Sequence, residues 1–283
     1  MANYAYRLVN VFCQKKYMFS GNPLCVFEDA RGMDEAVMQV IAQQFNLSET
    51  TFILPSTQAN ARVRIFTPSF EMPFAGHPTL GTAHVIRAMR NTGDELTLEM
   101  QAGVIAVAAM GGDWTLEANS PKFRDVTTPR AELAKMLGVD EKDIADTPRW
   151  VNTGSEQLLI PLTSVEALRR AMPISELMKK YAMNPSGEFK VYIWVEAAPG
   201  VMEARFFFPN MGGTIAEDFG TGSAAANLGG WLMAQNISLP IRRTIRQGDI
   251  LGRPSVLGLT VDKEKRIFVS GHVIDIGRGV VSI

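Results

Sequence analysis

The sequence predicts an α+β protein with two similar lobes, each a curved sheet wrapped around one buried helix. Three observations lead to this fold class. The chain of 283 residues has room for about two domains. Short β-forming runs are mixed with a few helical patterns, and a weak repeat relates the first half to the second. The hydrophobic content of 46% and the charged content of 20% are typical of a folded globular chain.

In the first half, strands are predicted at residues 6–12, 24–27, 51–54, 61–66, 96–100 and 104–109. Between them, Asp34 is positioned to cap a helix that has apolar residues along one face. A second helix is predicted to begin near Pro78, with this proline at its first position, where a missing N–H costs nothing. Because that helix is apolar almost all round, we expect it to be buried.

The second half repeats this plan. Residues 64–68 (Arg-Ile-Phe-Thr-Pro) recur as 205–209 (Arg-Phe-Phe-Phe-Pro), 141 residues later. Residues 75–79 (Ala-Gly-His-Pro-Thr) recur loosely as 219–223 (Phe-Gly-Thr-Gly-Ser), 144 residues later, and a helix is predicted to follow over 224–234. We therefore predict an N-terminal lobe of residues 1–120 and a C-terminal lobe of residues 121–283, with the last strand free to return to the first lobe. The predicted crossover is 120–130.

Composition excludes several classes of protein. A formal net charge of −1 and a pI near 6.3 provide no basic surface for nucleic acid. The longest apolar run, residues 104–110, is too short to cross a membrane, and the N-terminus has no signal-peptide pattern. We expect a cytoplasmic protein with neither nucleic-acid nor membrane partners. The two cysteines, Cys13 and Cys25, are expected to be buried apolar side chains. The three histidines lack metal-binding spacing, so neither a metal nor another cofactor is expected.

A first candidate site lies where the predicted buried helix begins. Gly76 permits close backbone approach there, and the first helical turn offers unpaired N–H groups and a positive dipole end, which suit a carboxylate or a phosphate. His77 stands at this position, although a tight turn with a packed histidine explains the same residues. Glu49 begins an apolar strand, where partial burial would raise its pKa toward the range of a general base. A solvated residue at a strand end is the alternative.

A second candidate site resembles the first. Gly220 and Gly222 flank another helix start, Ser223 adds a hydroxyl and Asp218 lies just before. Two alternatives exist here: a helix-capping device, and dinucleotide binding, because Gly220-x-Gly222-x-x-Ala225 fits the loose nucleotide fingerprint without a clear parallel βαβ unit. Taken together, two carboxylates, an imidazole, a hydroxyl and two helix N-termini suit proton transfer on a small acidic molecule bound between the lobes.

These motifs, in this order along the chain, resemble the PhzF family of phenazine-biosynthesis isomerases. The resemblance rests on Gly21-Asn22-Pro23, Ser48-Glu49-Thr50-Thr51-Phe52, Pro73-Phe74-Ala75-Gly76-His77-Pro78-Thr79, Asp218-x-x-Thr221-Gly222-Ser223-Ala224 and Gln247-Gly248-x-x-x-Gly252-Arg253-Pro254-Ser255. It implies the diaminopimelate-epimerase-like fold, a homodimer and a cofactor-free reaction of the trans-2,3-dihydro-3-hydroxyanthranilate type.

The resemblance also implies roles for individual residues. Glu49 would take a proton from one carbon and return it to another, while His77 and Asp218 would polarise the polar groups of the substrate. The groups expected to bind the carboxylate are the Ser223 hydroxyl and the backbone N–H groups of Gly76, His77 and Gly222. The related epimerases carry a cysteine before each of the two glycines at the helix starts. Here those positions are taken as Ala75 and Phe219, which disfavours a two-thiol racemase.

Two other functions remain open at this level. The same helix-start sites suit a small-carboxylate binding protein without catalysis. A dinucleotide-dependent oxidoreductase is the more distant alternative.

Overall fold

The computed structural model describes residues 1–145, 147–210 and 212–283. The chain divides into two compact units. The first unit combines Met1–Glu117 with Ser270–Ile283, and the second is Ala118–Val269.

The strands are β1 (Asn3–Val11), β2 (Asn22–Phe27), β3 (Glu49–Leu54), β4 (Ala61–Phe66), β5 (Glu71–Met72), β6 (Glu95–Met100), β7 (Gly103–Met110), β8 (Asp113–Ala118), β9 (Lys122–Asp125), β10 (Arg149–Asn152), β11 (Glu156–Pro161), β12 (Val191–Ala198), β13 (Val201–Pro209), β14 (Ile215–Asp218), β15 (Ile241–Gln247), β16 (Ser255–Val261) and β17 (Ile267–Ser282). The α-helices are α1 (Glu35–Phe45), α2 (Gly76–Arg90), α3 (Arg130–Leu137), α4 (Val165–Arg170), α5 (Ser175–Tyr181) and α6 (Gly222–Ala234). Short 3₁₀ turns are at Glu141–Asp143 and Asp249–Leu251.

The first unit is a closed sheet around α2. Strands pair in the order β1, β2, β3, β4, β6, β7, β8 and β17, and β17 pairs back with β1. The β2–β3 and β4–β6 pairs are parallel, and the short β5 pairs antiparallel with the end of β4. Helix α2 packs against β1, β2, β3 and β6. A helix enclosed by a sheet must be apolar on most of its circumference, as the sequence of α2 predicts.

The second unit repeats the same series of pairings. The strands pair in the order β10, β11, β12, β13, β15 and β16, and the β11–β12 and β13–β15 pairs are parallel. The short β14 pairs antiparallel with the end of β13. Helix α6 packs against β10, β11 and β16. On the other side of this sheet, α3, α4 and α5 share a separate apolar core with β11 and β12. The predicted α+β class, two pseudo-symmetric lobes each with a barrel-like sheet around a helix, is confirmed.

The repeat extends to individual side chains. Arg64 on β4 binds Glu71 on β5 through two parallel hydrogen bonds, and Arg205 on β13 binds Glu217 on β14 in the same way. The two central helices begin at Gly76 and Gly222, which are 146 residues apart and not 144. The residue that corresponds to Ala75 is therefore Thr221, not Phe219 as the sequence repeat indicated. Neither Ala75 nor Thr221 is a cysteine, so the corrected alignment also disfavours a mechanism with paired thiols.

The predicted helix starts and strand bounds of the first half agree with the structure to within three residues. The strand at 61–66 coincides with β4, but Pro78 is the third residue of α2, because the helix begins two residues earlier at Gly76. Asp34 does precede α1, yet its side chain accepts no capping hydrogen bond. The predicted crossover at 120–130 contains β9, which pairs with β10.

Cys13 and Cys25 are both buried and unbridged, as predicted. Of the helices in the described part of the chain, none has both the length and the apolar character that a membrane crossing requires.

Candidate active site

Glu49 is directed toward the central helix of the first unit by the alternation of β3. Phe52 lies in the apolar core that β3 shares with α1. Successive side chains of a strand point to opposite faces, so Glu49 and Thr51 share the other face. On that face the Thr51 hydroxyl is 2.8 Å from the hydroxyl of Thr82 in α2. Glu49 therefore faces α2, and its side chain is only 15% exposed.

His77, the second residue of α2, forms a close pair with this carboxylate. Its Nε2 lies 3.4 Å from Glu49 Oε2. The backbone carbonyl of Pro23 accepts a hydrogen bond from the imidazole, and because Nε2 makes no hydrogen bond, the bonded nitrogen is Nδ1. Burial lowers the pKa of His77 from 6.5 to about 3, so the ring is neutral at physiological pH. A neutral ring with its proton on Nδ1 presents Nε2 to the Glu49 side chain as a hydrogen-bond acceptor.

The carbonyl that orients His77 depends on a glycine turn between β1 and β2. Gly21 has a φ of +79°, and a Cβ at this position would lie 2.4 Å from the carbonyl oxygen of Val11. Only glycine fits such a conformation at that distance. The turn leads directly into Asn22 and Pro23 at the start of β2. The Gly21-Asn22-Pro23 motif therefore sets the tautomer and orientation of the His77 ring.

The first turn of α2 supplies backbone donors beside this pair. Its first intrahelical bond runs from Thr79 N–H to the carbonyl of Ala75, so the N–H groups of Gly76 and His77 have no partner within the helix. Pro78 contributes no N–H. Two backbone donors at the positive end of a helix dipole form an anion site of the kind that binds a carboxylate.

The low pKa of His77 predicts how stability depends on pH. The unfolded chain binds this proton at about pH 6.5, whereas the folded protein binds it only near pH 3. The stabilising contribution of neutral His77 is therefore complete above pH 6.5, and it is lost as the pH falls toward 3, by up to ~1.4 kcal/mol per pH unit. We expect urea unfolding between pH 7 and 5 to show this decline in the wild type and a flatter profile in His77→Gln. Parallel profiles for the two proteins would contradict the assignment.

The second set of predicted residues lies at the start of α6. Asp218 is the last residue of β14, and Gly222 and Ser223 are the first two residues of the helix. The Thr221 hydroxyl donates to Asp218 Oδ2 at 2.6 Å. Ser223 Oγ accepts a hydrogen bond from Gln157 Nε2 at 2.9 Å. Each predicted polar side chain of this set is thus held by a neighbour that the sequence did not single out as a site residue.

A sequence model of the family described as phenazine biosynthesis-like protein, PhzC–PhzF, matches residues 9–279. A Pasteurella multocida protein named as an uncharacterized isomerase is 41% identical over 280 residues, covering 98% of this chain and 93% of that protein. The chain belongs to the PhzC–PhzF family.

Two other similarities concern PhzF-family members. The trans-2,3-dihydro-3-hydroxyanthranilate isomerase of Pseudomonas chlororaphis is 34% identical over 276 residues, 92% of this chain and 94% of that protein. The crystal structure of a Bacillus anthracis phenazine biosynthesis protein of the PhzF family superimposes with a TM-score of 0.88 at 25% identity, covering all of both chains. These names place this PhzF-family chain among the isomerases. A probable proline racemase from Agrobacterium radiobacter, 13% identical with a TM-score of 0.67, shares the fold.

In this PhzF-family protein, Glu49, Gly76 and His77 belong to the first unit, and Asp218, Gly222 and Ser223 belong to the second. Within each unit the predicted residues are neighbours at one helix start. Among the residues that the structure describes, no three His, Cys, Asp or Glu side chains converge as metal ligands would. What each set offers is acid–base chemistry and anion binding.

Sequence reasoning missed the groups that position these side chains in this PhzF-family chain. They are the Pro23 carbonyl and the side chains of Gln157, Thr221 and Gln247. The family motifs contain Pro23, Thr221 and Gln247, but these residue types alone indicate no function. Gln157 lies on β11, 66 residues before Ser223, and it is fully buried. A glutamine within an otherwise apolar strand is the one local signal that could have identified it, because an amide that becomes buried requires hydrogen-bond partners.

Proposed function

We propose that this protein is a cofactor-independent isomerase that moves a proton between two carbon atoms of a small cyclic or unsaturated carboxylic acid, of the trans-2,3-dihydro-3-hydroxyanthranilate type. The observation that carries the proposal is the buried pair of Glu49 and neutral His77, with Nε2 3.4 Å from Oε2 beside the N-terminus of α2. A carboxylate next to a neutral acceptor can take up a proton and hold it for redelivery.

In the proposed reaction, ionised Glu49 accepts a proton from one ring carbon. The electron pair of that C–H bond moves into the conjugated system, and the proton returns from Glu49 to a second carbon, which leaves an enol. The enol becomes a ketone when its O–H proton is released and a proton adds to carbon. No atom is gained or lost over the cycle. His77 accepts a hydrogen bond from Glu49 once Glu49 is protonated. This bond stabilises the protonated form of Glu49 between the two proton transfers. A single base that collects and redelivers the proton favours isomerisation over inversion of one centre.

The helix starts are proposed to bind the substrate carboxylate and the charge that develops during the reaction. The donors are the backbone N–H groups of Gly76, His77 and Gly222 together with the Ser223 hydroxyl. Gln157 donates to Ser223 Oγ, so the hydroxyl proton of Ser223 is directed to another acceptor such as the substrate. Asp218 is proposed to hydrogen-bond a polar group of the same molecule. Such oriented donors are the main source of catalysis beyond proton transfer itself.

The nucleotide alternative is disfavoured by the strands around α6. The fingerprint requires a parallel strand–helix–strand unit. Here β14, which precedes α6, pairs antiparallel with β13, whereas β15, which follows α6, pairs parallel with β13. The two strands that flank the helix therefore run in opposite directions.

The proposal is tested by proton NMR of trans-2,3-dihydro-3-hydroxyanthranilate with the wild-type protein in D₂O. We expect the substrate signals to disappear and product to form with deuterium at the carbon that receives the proton. Other small cyclic and unsaturated carboxylic acids follow in the same assay. Unchanged spectra from folded protein across this panel would overturn the isomerase proposal and favour a carboxylate-binding protein.

A further inference from the structure

A buried amide on β15 is bonded to the segment that carries Asp218. Gln247, the last residue of β15, is 1% exposed. Its side chain makes three hydrogen bonds with residues 218–221, and none of these reaches the carboxylate of Asp218 directly. We propose that Gln247 is a positioning residue for Asp218 and that it acts through the hydroxyl of Thr221. This inference rests on the proposed function, in which Asp218 binds the substrate.

The three bonds determine the orientation of the amide. Gln247 Nε2 donates to the carbonyl of Asp218 at 3.0 Å and to Thr221 Oγ1 at 2.9 Å, while Oε1 accepts the backbone N–H of Thr221 at 3.3 Å. A flipped amide would set two acceptors against each other at the Asp218 carbonyl and two donors against each other at the Thr221 N–H. The network therefore admits one orientation of this side chain.

The orientation of the amide in turn sets the direction of the next hydrogen bond. Because Thr221 Oγ1 accepts from Gln247, its own proton is available to Asp218 Oδ2, 2.6 Å away. Donation by a hydroxyl to a carboxylate stabilises the ionised form and restricts the rotation of the carboxyl group. The relay thus runs from the amide of Gln247 through the hydroxyl of Thr221 to Asp218.

Helix α6 lacks a side-chain capping bond at its N-terminus because the Thr221 hydroxyl is part of this relay. Thr221 occupies the N-cap position of α6, where a threonine hydroxyl ordinarily accepts a hydrogen bond from the first turn. Here the Thr221 side chain makes no capping bond. The hydroxyl is used for Asp218 instead, and the first N–H groups of α6 are left without an intrahelical partner.

The backbone around Gln247 is also shaped for this contact. Gly248 has a φ of +81°, and a Cβ on it would lie 2.6 Å from the carbonyl oxygen of Phe219 and 2.4 Å from that of Arg253. The end of β15 therefore passes directly over the backbone of the 218–221 segment, at a distance only glycine permits.

The first unit provides an internal comparison, because the same fold occurs there without the relay. At the 146-residue offset that relates Gly76 to Gly222, Asp218 corresponds to Met72, Thr221 to Ala75 and Gln247 to Gln101. Gln101 is exposed in the turn after β6. The first unit thus lacks the carboxylate and the hydroxyl of the relay and exposes the matching amide, yet it forms the same sheet around the same type of helix. The fold does not require them, which favours a role in the site.

The first test is the pKa of Asp218, measured by NMR titration of ¹³C-labelled aspartate carboxyl groups, with Asp218→Asn used to assign the signal. Thr221→Val removes the hydroxyl and keeps the shape. We expect it to raise the pKa of Asp218 by about one pH unit, since a donor to the charged form is lost. Thr221→Ser retains the hydroxyl and should restore the wild-type value. An unchanged pKa in folded Thr221→Val would overturn the relay.

The role of Gln247 is tested by a double-mutant cycle. In Gln247→Glu the introduced carboxylate accepts only, so the Thr221 hydroxyl turns toward it and away from Asp218. Its added charge also acts on Asp218, and the same substitution in a Thr221→Val background measures that effect alone. We expect a larger shift of the Asp218 pKa with threonine present than with valine. Equal shifts would show that Gln247 does not act on Asp218 through Thr221. Gln101→Glu, at the matching position of the first unit, should leave the pKa of Asp218 unchanged.

Activity gives a second readout that separates this inference from the proposed function. If the wild type turns over substrate, Thr221→Val and Gln247→Glu should each lower kcat/KM about 10- to 100-fold, as expected for a lost hydrogen bond to a charged group. They should also move the acidic limb of the pH profile upward, and Thr221→Ser should reverse both changes. A wild type without turnover refutes the proposed function, whereas the titration of Asp218 still decides the relay.

Discussion

Replacing Glu49 with glutamine should lower the rate of deuterium incorporation into substrate about 10²- to 10⁴-fold, the usual contribution of a positioned acid or base. Glutamine has the size of glutamate but accepts no proton at neutral pH. Its amide can donate to Nε2 of neutral His77, which lies 3.4 Å from the carboxylate oxygen in the wild type. The folded state should therefore be preserved, so that the loss is one of chemistry and not of structure.

The matched control for this experiment is Glu95→Gln. Glu95 is an exposed glutamate at the start of β6, so the same chemical change there should leave the rate unaltered. Substrate affinity of Glu49→Gln, measured by titration calorimetry, should stay near the wild-type value because the helix N–H groups remain in place. A Glu49→Gln protein that exchanges protons at the wild-type rate would show that the base lies elsewhere.

Replacing Arg205 with methionine should lower the free energy of unfolding by about 3–5 kcal/mol, the cost of breaking a buried ion pair from one side. The guanidinium donates to both carboxylate oxygens of Glu217, at 2.9 and 2.7 Å. It also donates to the carbonyls of Leu168 and Ala171 at the end of α4, at 3.0 and 2.7 Å. Methionine fills the space but leaves a nearly buried carboxylate and two carbonyls without these donors.

The matching residue of the first unit serves as control for Arg205. Arg64 holds Glu71 in the same geometry but is also bonded to Glu35, which is exposed. It makes none of the carbonyl contacts that Arg205 makes, so Arg64→Met should cost less. Because the chain has two units, unfolding in urea is followed by tryptophan fluorescence, with Trp150, Trp194 and Trp231 reporting on the second unit.

A further variant separates the ion pair from the packing at this position. Adding Glu217→Leu to Arg205→Met should recover part of the lost stability, because the uncompensated carboxylate is removed. A loss below about 1 kcal/mol for Arg205→Met alone would mean that the pair behaves as an exposed one.

Most of the fold prediction rested on local patterns in the sequence. Alternating and continuous apolar runs located six strands of the first unit, and one run, 61–66, matches β4 at both ends. The small apolar residues after Gly76 and Gly222 predicted helices that other elements enclose, which holds for α2 and α6. These features depend on the covalent neighbours of each residue, so they can be recognised without knowledge of the fold.

The same patterns left the start of α2 ambiguous. Proline is common at the first position of a helix, but it is also tolerated two residues later in the first turn. Pro78 is therefore compatible with two starts of α2. The equivalence of Gly76 and Gly222 follows from the bounds of α2 and α6 in the structure. A repeat of this kind is easier to align by structure than by its few shared side chains.

The class of fold and the polar residues near the two helix starts can be recognised from the sequence alone. Their hydrogen-bond partners are evident only in the folded protein: the carbonyl of Pro23 for His77, Gln157 for Ser223, and Gln247 with Thr221 for Asp218. The physical reason is distance along the chain, because Gln157 and Gln247 lie 66 and 26 residues from their partners. Hydrogen bonds between distant segments leave no period in the sequence, and they form only when the closed sheet brings its strands around the helix.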